Sequence, residues 1–185
     1  MNRWTAGLLA VLFHAGLHAE IQQVTPGLVE VEDADTLSVE VAGVLYRVQL
    51  PDVDTPESVQ NPKLLRDVER TGLDADVLLP LGRMADEWVR QQLKSFKPYS
   101  LHFDPTRRDK YGRVPGDLFA ADGRRLSTLV VEAGYGVPVG RLQAARQQEL
   151  FDASTGARQE RRGLWGSHAE AFAAWADVAV APGRR

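Results

Sequence analysis

The chain contains no cysteine, so no disulfide framework and no thiolate-bound zinc can underlie its stability or its chemistry. Histidine is scarce as well. There are four, and two of them, His14 and His18, fall within the first twenty residues. His102 and His168 are too few for a histidine-rich transition-metal site. An excess of positive charge is missing too: 22 Lys and Arg face 25 Asp and Glu, a formal net charge of −3. Any hold on nucleic acid must therefore come from where the bases lie, since sequence-independent binding works by neutralising phosphates. No apolar run is long enough to span a bilayer comfortably. There is no internal repeat, no low-complexity tract and no heptad pattern, and the expectation is a monomer.

The first residues read as an export signal. Arg3 precedes the apolar stretch from Trp4 to Phe13, and Leu17-His18-Ala19 offers a cleavage site before Glu20. Residues 1–19 are expected to be removed, leaving no stable membrane anchor and a periplasmic or secreted protein. Losing Arg3 takes the net charge to −4. The charge is unevenly spread, with acids in excess up to residue 100 and bases in excess after it. Arg107, Arg108, Lys110, Arg113, Arg124 and Arg125 form a cluster along the chain, which suits a phosphate-facing patch or a solvated hairpin rim.

The most informative pattern is acidic. Asp33-Ala34-Asp35-Thr36 is followed by Leu37-Ser38-Val39-Glu40-Val41, then Ala42-Gly43, then Val44 to Leu50, then Asp52-Val53-Asp54-Thr55-Pro56-Glu57. Alternating apolar residues on both sides of a Gly-containing turn predict two antiparallel strands. A hairpin brings its open ends together, so Asp35 and Asp54 should meet. Carboxylates that meet repel unless a proton or a cation lies between them, and oxygen ligands suit a hard divalent ion such as calcium or magnesium.

These segments resemble the staphylococcal-nuclease-like, or thermonuclease, family. The family's ordered elements are matched by Asp33-Ala34-Asp35-Thr36, Asp54-Thr55-Pro56-Glu57, Asp109-Lys110-Tyr111-Gly112-Arg113 and Arg162-Gly163-Leu164-Trp165, between about Gly27 and Trp165. Four motifs in order are far more specific than any one of them. The resemblance implies an α+β chain, an OB-fold with a five-stranded β-barrel and about three helices. It implies a calcium-dependent nuclease, with Mg2+ or Mn2+ as other candidate ions, that hydrolyses DNA or RNA with little sequence preference. Carried over by position, Asp35, Asp54 and the Thr55 carbonyl are the metal ligands. Glu57 and Arg113 are the catalytic residues, the first positioning or deprotonating water and the second stabilising charge on phosphate. Lys110 and Tyr111 contact a neighbouring phosphate.

Gln49 departs from that pattern, because the family has an arginine at this position. Glutamine can hydrogen-bond a phosphate but brings neither charge nor a guanidinium fork. Arg47, two residues earlier, shares its strand face about 6.6 Å away and is the candidate substitute, particularly if a bulge shifts the register. Ala34 stands for the family's glycine, and the tyrosine pair after Gly134 is replaced by Gly134-Tyr135-Gly136-Val137. The alternative reading is therefore a catalytically impaired OB module that binds nucleic acid, a nucleotide or a protein.

The remaining elements follow from local signals. Strands are expected over Leu28–Glu32, Thr36–Val41, Val44–Leu50, Tyr99–Phe103 and Val114–Ala120. Helices are expected over Leu81–Leu93, Ser127–Ala133 with Ser127 as cap, and Leu142–Arg162. A long connection from Ser58 to about Leu79 holds a short helix begun by Pro62 and stopped by Gly72, either a wall over the site or a surface insertion. One domain spans 20–167, and the Ala-rich tail of 168–185 is expected to fray. Trp88, Trp165, Trp175 and His102 read as structural residues.

Overall fold

The computed structural model describes residues 21–140 and 144–180; residues 1–19, expected above to be an export signal, and Leu142 lie outside the described residues. The chain begins with β1 (Gln22–Val24), β2 (Val29–Asp33), β3 (Thr36–Val41), β4 (Val44–Gln49) and β5 (Val53–Asp54). Two helices follow, α1 (Pro62–Thr71) and α2 (Ala75–Ser95), then strands β6 (Tyr99–Phe103) and β7 (Val114–Ala120). The remainder is α3 (Leu126–Glu132), β8 (Val137–Pro138), α4 (Ala144–Gln159), α5 (Leu164–Ser167) and α6 (Ala169–Val180).

The main sheet has six strands in the order β1-β6-β7-β4-β3-β2, and a separate pair joins β5 to β8. The sheet is not closed as a barrel: among the described residues, β1 and β2 are its two edges. The expected five strands are all present. The sixth, β1, is a three-residue strand whose Gln-Gln-Val sequence carries no alternation; its pairing of Gln22 with Phe103 defines it. The β3–β4 hairpin turns through Ala42 and Gly43, both at positive φ. Its register runs unbroken from Val41↔Val44 to Thr36↔Gln49. The irregularity in this half of the sheet lies instead between Val31 and Asp33 on β2.

Six helical segments occur among the described residues, against about three expected. Helix α2 starts six residues earlier than its predicted Leu81 and runs through Pro80, because its two halves serve different cores. Leu78, Leu79 and Leu81 pack with α5 and α6, whereas Ala85, Val89 and Leu93 pack under the sheet with Leu37, Val48, Leu101 and Leu118. No described helix is long and apolar enough to cross a membrane.

The expected fraying of the C-terminal tail is overturned over residues 169–180, which form α6, while residues 181–185 lie outside the described residues. Phe172 and Trp175 on α6 are fully buried, and their rings stack with centroids 5.4 Å apart. Apolar residues at helical spacing, hidden in an Ala-rich composition, give α6 a face that α1, α2 and α5 cover. Trp175 Nε1 donates to Asp67 Oδ2 on α1 at 3.0 Å, wholly inside the protein. With Leu64 also buried, α1 is a docked element of the second core and not a loose insertion.

Ser127 does not cap α3. The cap comes from the preceding strand, β7: Asp117 Oδ1 accepts from the Ser127 N–H at 3.1 Å, and its other oxygen accepts from the Ser127 hydroxyl. Arg146 on α4 reaches the same hydroxyl at 2.7 Å. Burial pushes the Asp117 carboxyl up to about 6, against those donors and the Arg146 charge.

Two outcomes follow. Trp175→Phe keeps a buried ring but leaves Asp67 without its indole donor, and should lower unfolding free energy by about 1–3 kcal/mol in urea titration. For Asp117, a folded-state value above the ordinary 3.8 means that the native chain holds this proton more tightly than the unfolded one. Its stabilising contribution is full below about pH 4 and lost as pH rises through about 6. Asp117→Asn should flatten that part of the stability–pH profile relative to the parent, as read from thermal unfolding between pH 4 and 7.

Candidate active site

The hairpin does what its sequence requires: the ends of β3 and β4 lie side by side, and β5 turns back past them. Asp35, at the entrance to β3, is 6 % exposed, and Asp54 on β5 is 7 % exposed. The Thr55 N–H donates to Asp35 Oδ2 at 3.3 Å, which ties the two acidic segments together. Asp54 pairs with Val137 across the β5–β8 ladder. Gly136 permits that approach, since a methyl there would lie 2.9 Å from the Asp54 carbonyl. Glu57 is held by a second close packing. Gly82 of α2 lies so near that a Cβ would overlap the Glu57 carbonyl group.

The acids crowd. Burial and the nearby Asp35 and Glu57 charges push the Asp33 carboxyl up to about 9, even with Lys63 close by. Asp86 lies beneath them on α2 at 4 % exposure, its carboxyl raised by burial.

A cation is already present among them. Lys63, in the first turn of α1, places its ammonium 2.8 Å from Asp54 Oδ1 and 2.8 Å from the Thr55 carbonyl, and pairs with Glu57 Oε1. Asn61 caps the same helix: its Oδ1 accepts from the Lys63 and Leu64 N–H groups at 2.9 Å, while its Nδ2 donates to Glu57 Oε2. Both oxygens of Glu57 are thus engaged by the start of α1. Burial works against the charge of Lys63, but the Glu57 and Asp35 carboxylates outweigh it and hold the amine above its ordinary value.

The basic side of the cluster is assembled from the β6–β7 connection. Asp109 organises its turn, with Oδ1 accepting from the N–H groups of Tyr111 at 2.8 Å and Arg113 at 2.9 Å. Gly112 takes the positive φ of 78° that the turn needs. The turn leaves Lys110 and Tyr111 exposed and aims Arg113 inward. Arg113 Nε pairs with Asp109 Oδ2 at 2.8 Å, and its Nη1 donates to Thr36 Oγ1 at 3.1 Å. That hydroxyl lies 3.0 Å from Asp35 Oδ1 and 3.2 Å from Gln49 Oε1, so Thr36 links Arg113, Gln49 and the acidic cluster.

Gln49 sits beside this chain, its Nε2 donating to the Leu50 carbonyl at 3.3 Å. Arg47 occupies the same strand face two residues away. Its guanidinium forks onto Glu32, with contacts of 2.6–3.0 Å, and reaches the Tyr111 carbonyl at 3.5 Å. The basic cluster of the sequence is split. Arg107 to Arg113 precede β7, whereas Arg124 and Arg125 follow it, with Arg125 paired beside Phe119 about 20 Å from Arg113 along the strand. Tyr135 stacks on Trp88 with centroids 5.1 Å apart. Of the residues that matter here, Lys63, Asn61, Gly82 and Gly136 were not singled out by sequence. The only available signal was the start of a Pro-containing helix directly after an acidic motif.

Hard-oxygen donors fit a divalent cation, and the ammonium at 2.8 Å from two of them shows that they converge on a positive charge. Among the described residues, no three carboxylates or imidazoles are grouped to hold a metal by themselves.

The structure is a mixed α+β fold of the open OB type, with a buried acidic cluster at one end of its sheet and an arginine-bearing turn beside it. Residues 47–167 match the family described as staphylococcal nuclease homologue, and the chain belongs to that family. An endonuclease of Escherichia coli, itself uncharacterized, is 26% identical over 155 residues, 80% of each chain. An uncharacterized protein of Methanocaldococcus jannaschii is 30% identical over 147 residues, 75% of this chain and 70% of that one. One from Bacillus anthracis is 26% identical over 151 residues. Those residues are 78% of this chain but span only 62% of the Bacillus protein's length.

Gly82→Ala forces the Glu57–Ser58 backbone off α2. It should destabilise the protein by about 1–3 kcal/mol in chemical unfolding and shift the Glu57 and Ser58 amide resonances more than any on the far edge of the sheet.

Proposed function

We propose that the protein is an exported phosphodiesterase of nuclease type, hydrolysing DNA or RNA by in-line attack of water on phosphorus. The observation that carries this reading is the convergence of Asp35, Asp54, Thr55 and Glu57 at one end of the sheet, with Arg113 linked to them through Thr36. The family membership and the endonuclease name of the E. coli relative support the same class. The charged and apolar start of the chain supports export.

Asp35 and Asp54, with the Thr55 carbonyl, would hold calcium, which when bound polarises the phosphate and lowers the pKa of nearby water. Glu57 takes the proton of the attacking water; its fixed position between α1 and Gly82 aims the carboxylate. Arg113 donates charge-assisted hydrogen bonds to the phosphate oxygens as negative charge builds. Its attachment to Asp109 and Thr36 holds the fork in place before substrate arrives. Lys110 and Tyr111, exposed on the same turn, take the adjoining phosphate and base. Gln49 contributes a neutral hydrogen bond where an arginine would add charge.

A second reading, a binding module with a weakened site, is favoured by that neutral amide and by the engagement of Arg47 with Glu32.

The test is cleavage of single- and double-stranded DNA and of RNA by the full chain, with calcium and with chelator. Calcium-dependent cleavage is expected. Arg113→Ala should lower it by about two to three decades, the usual cost of one lost transition-state donor. Gln49→Arg should raise it. Intact substrates after hours with millimolar calcium, for the parent and for Gln49→Arg alike, would sink the nuclease reading.

A further inference from the structure

Lys63 is unlike an ordinary surface lysine. The first turn of a helix is electrostatically the wrong place for a cation, because the exposed N–H groups carry partial positive charge. Helix α1 has no acidic residue in that turn to offset this. The ammonium instead folds away from solvent onto three oxygens, from Asp54, Thr55 and Glu57, its side chain 26% exposed. Two of those, on Asp54 and Thr55, are assigned above to the divalent ion, and the third belongs to the base.

The helix that delivers Lys63 is fixed at its start and at its middle. Asn61 caps it and also grips Glu57. Four residues on, Asp67 accepts from the buried Trp175 indole, and Leu64 is buried against the second core. A divalent ion needs the same oxygens at about 2.3–2.6 Å. Two cations cannot share one donor set, since at such separations their repulsion is large and little screened.

We propose that the Lys63 ammonium is the resident cation of this carboxylate cluster, and that a divalent ion enters only by displacing it. This rests on the reading of Asp35, Asp54 and Thr55 as divalent ligands and adds a regulatory element to it. The competent state is the one with Lys63 withdrawn. Apparent calcium affinity is then reduced by the fraction of molecules in that state, so calcium controls the site over a range set by Lys63. Withdrawing Lys63 also frees one oxygen of Glu57, which couples metal entry to release of the base.

Calorimetric calcium titration of the full chain and of its Lys63→Met variant tests this. The variant should bind calcium at least about tenfold more tightly than the parent, by removal of the competing charge. Its thermal midpoint should also rise more with calcium than the parent's does, because the ion then binds without displacing a resident ammonium. The chain has four lysines, at 63, 94, 97 and 110. Calcium added to the parent should therefore shift the Lys63 side-chain methylene resonance and leave those of Lys94 and Lys97 in place, a measurement that stands if the variant does not fold. Equal or weaker calcium binding by the variant, or an unmoved Lys63 resonance in calcium-saturated parent, overturns the proposal. Calcium bound by neither protein overturns it as well. The cleavage assay separates these failures from failure of the nuclease reading, because cleavage by the parent alongside any of these outcomes leaves that reading standing and removes only the role of Lys63.

Discussion

Like charge brought together at the end of a hairpin is the constraint around which this molecule is arranged. The side chains of Asp33, Asp35, Asp54 and Glu57 gather where β3, β4 and β5 converge, and Asp86 lies beneath them. Withdrawing so many carboxylates from water is tolerable only if protons, donors or cations answer them. All three are used. Asp33 holds a proton to an unusually high pH, the Thr55 N–H and Asn61 amide donate, and Lys63 brings positive charge. Much of the remaining architecture delivers those answers. Helix α1 exists as a docked element because Leu64 and Asp67 attach it to α6, and α2 carries a glycine where the Glu57 backbone must pass.

The opposite charge is handled separately. Arg113 is pre-oriented by Asp109 and linked to the acids through the Thr36 hydroxyl, so a neutral group relays between the two charge systems. Gln49 takes part in that relay as a neutral member, and Arg47, which shares its face, is satisfied by Glu32. An unbroken β3–β4 register keeps the two positions in their predicted order along the strand.

Local pattern was enough for what local physics determines. The period-2 hairpin, the five longer strands and the turn around Gly112 follow from alternation and from residues that tolerate positive φ. The meeting of Asp35 and Asp54 follows from the hairpin itself. Other features depend on partners far away in sequence and left no local mark. Lys63 reads as any lysine in a short helix until α6 fixes where that helix lies. Gly82 reads as a weak spot in α2 until the Glu57 backbone is laid against it. The C-terminal segment looked too alanine-rich to hold, because two buried aromatic rings per three turns do not stand out in composition. The six basic residues looked like one patch because linear adjacency ignores the length of β7.

The Asp67–Trp175 contact joins residues 108 positions apart. Hairpins such as β3–β4 close loops of a few residues, whereas this contact cannot form until a chain more than half the protein's length has been brought round on itself. The sheet and its acidic hairpin can therefore organise early, from short-range pairings, while α1 waits for α6. Folding order and chain order are opposed at this point: the helix that completes the acidic cluster is made before α6 but gains its Trp175 anchor only when α6 has emerged.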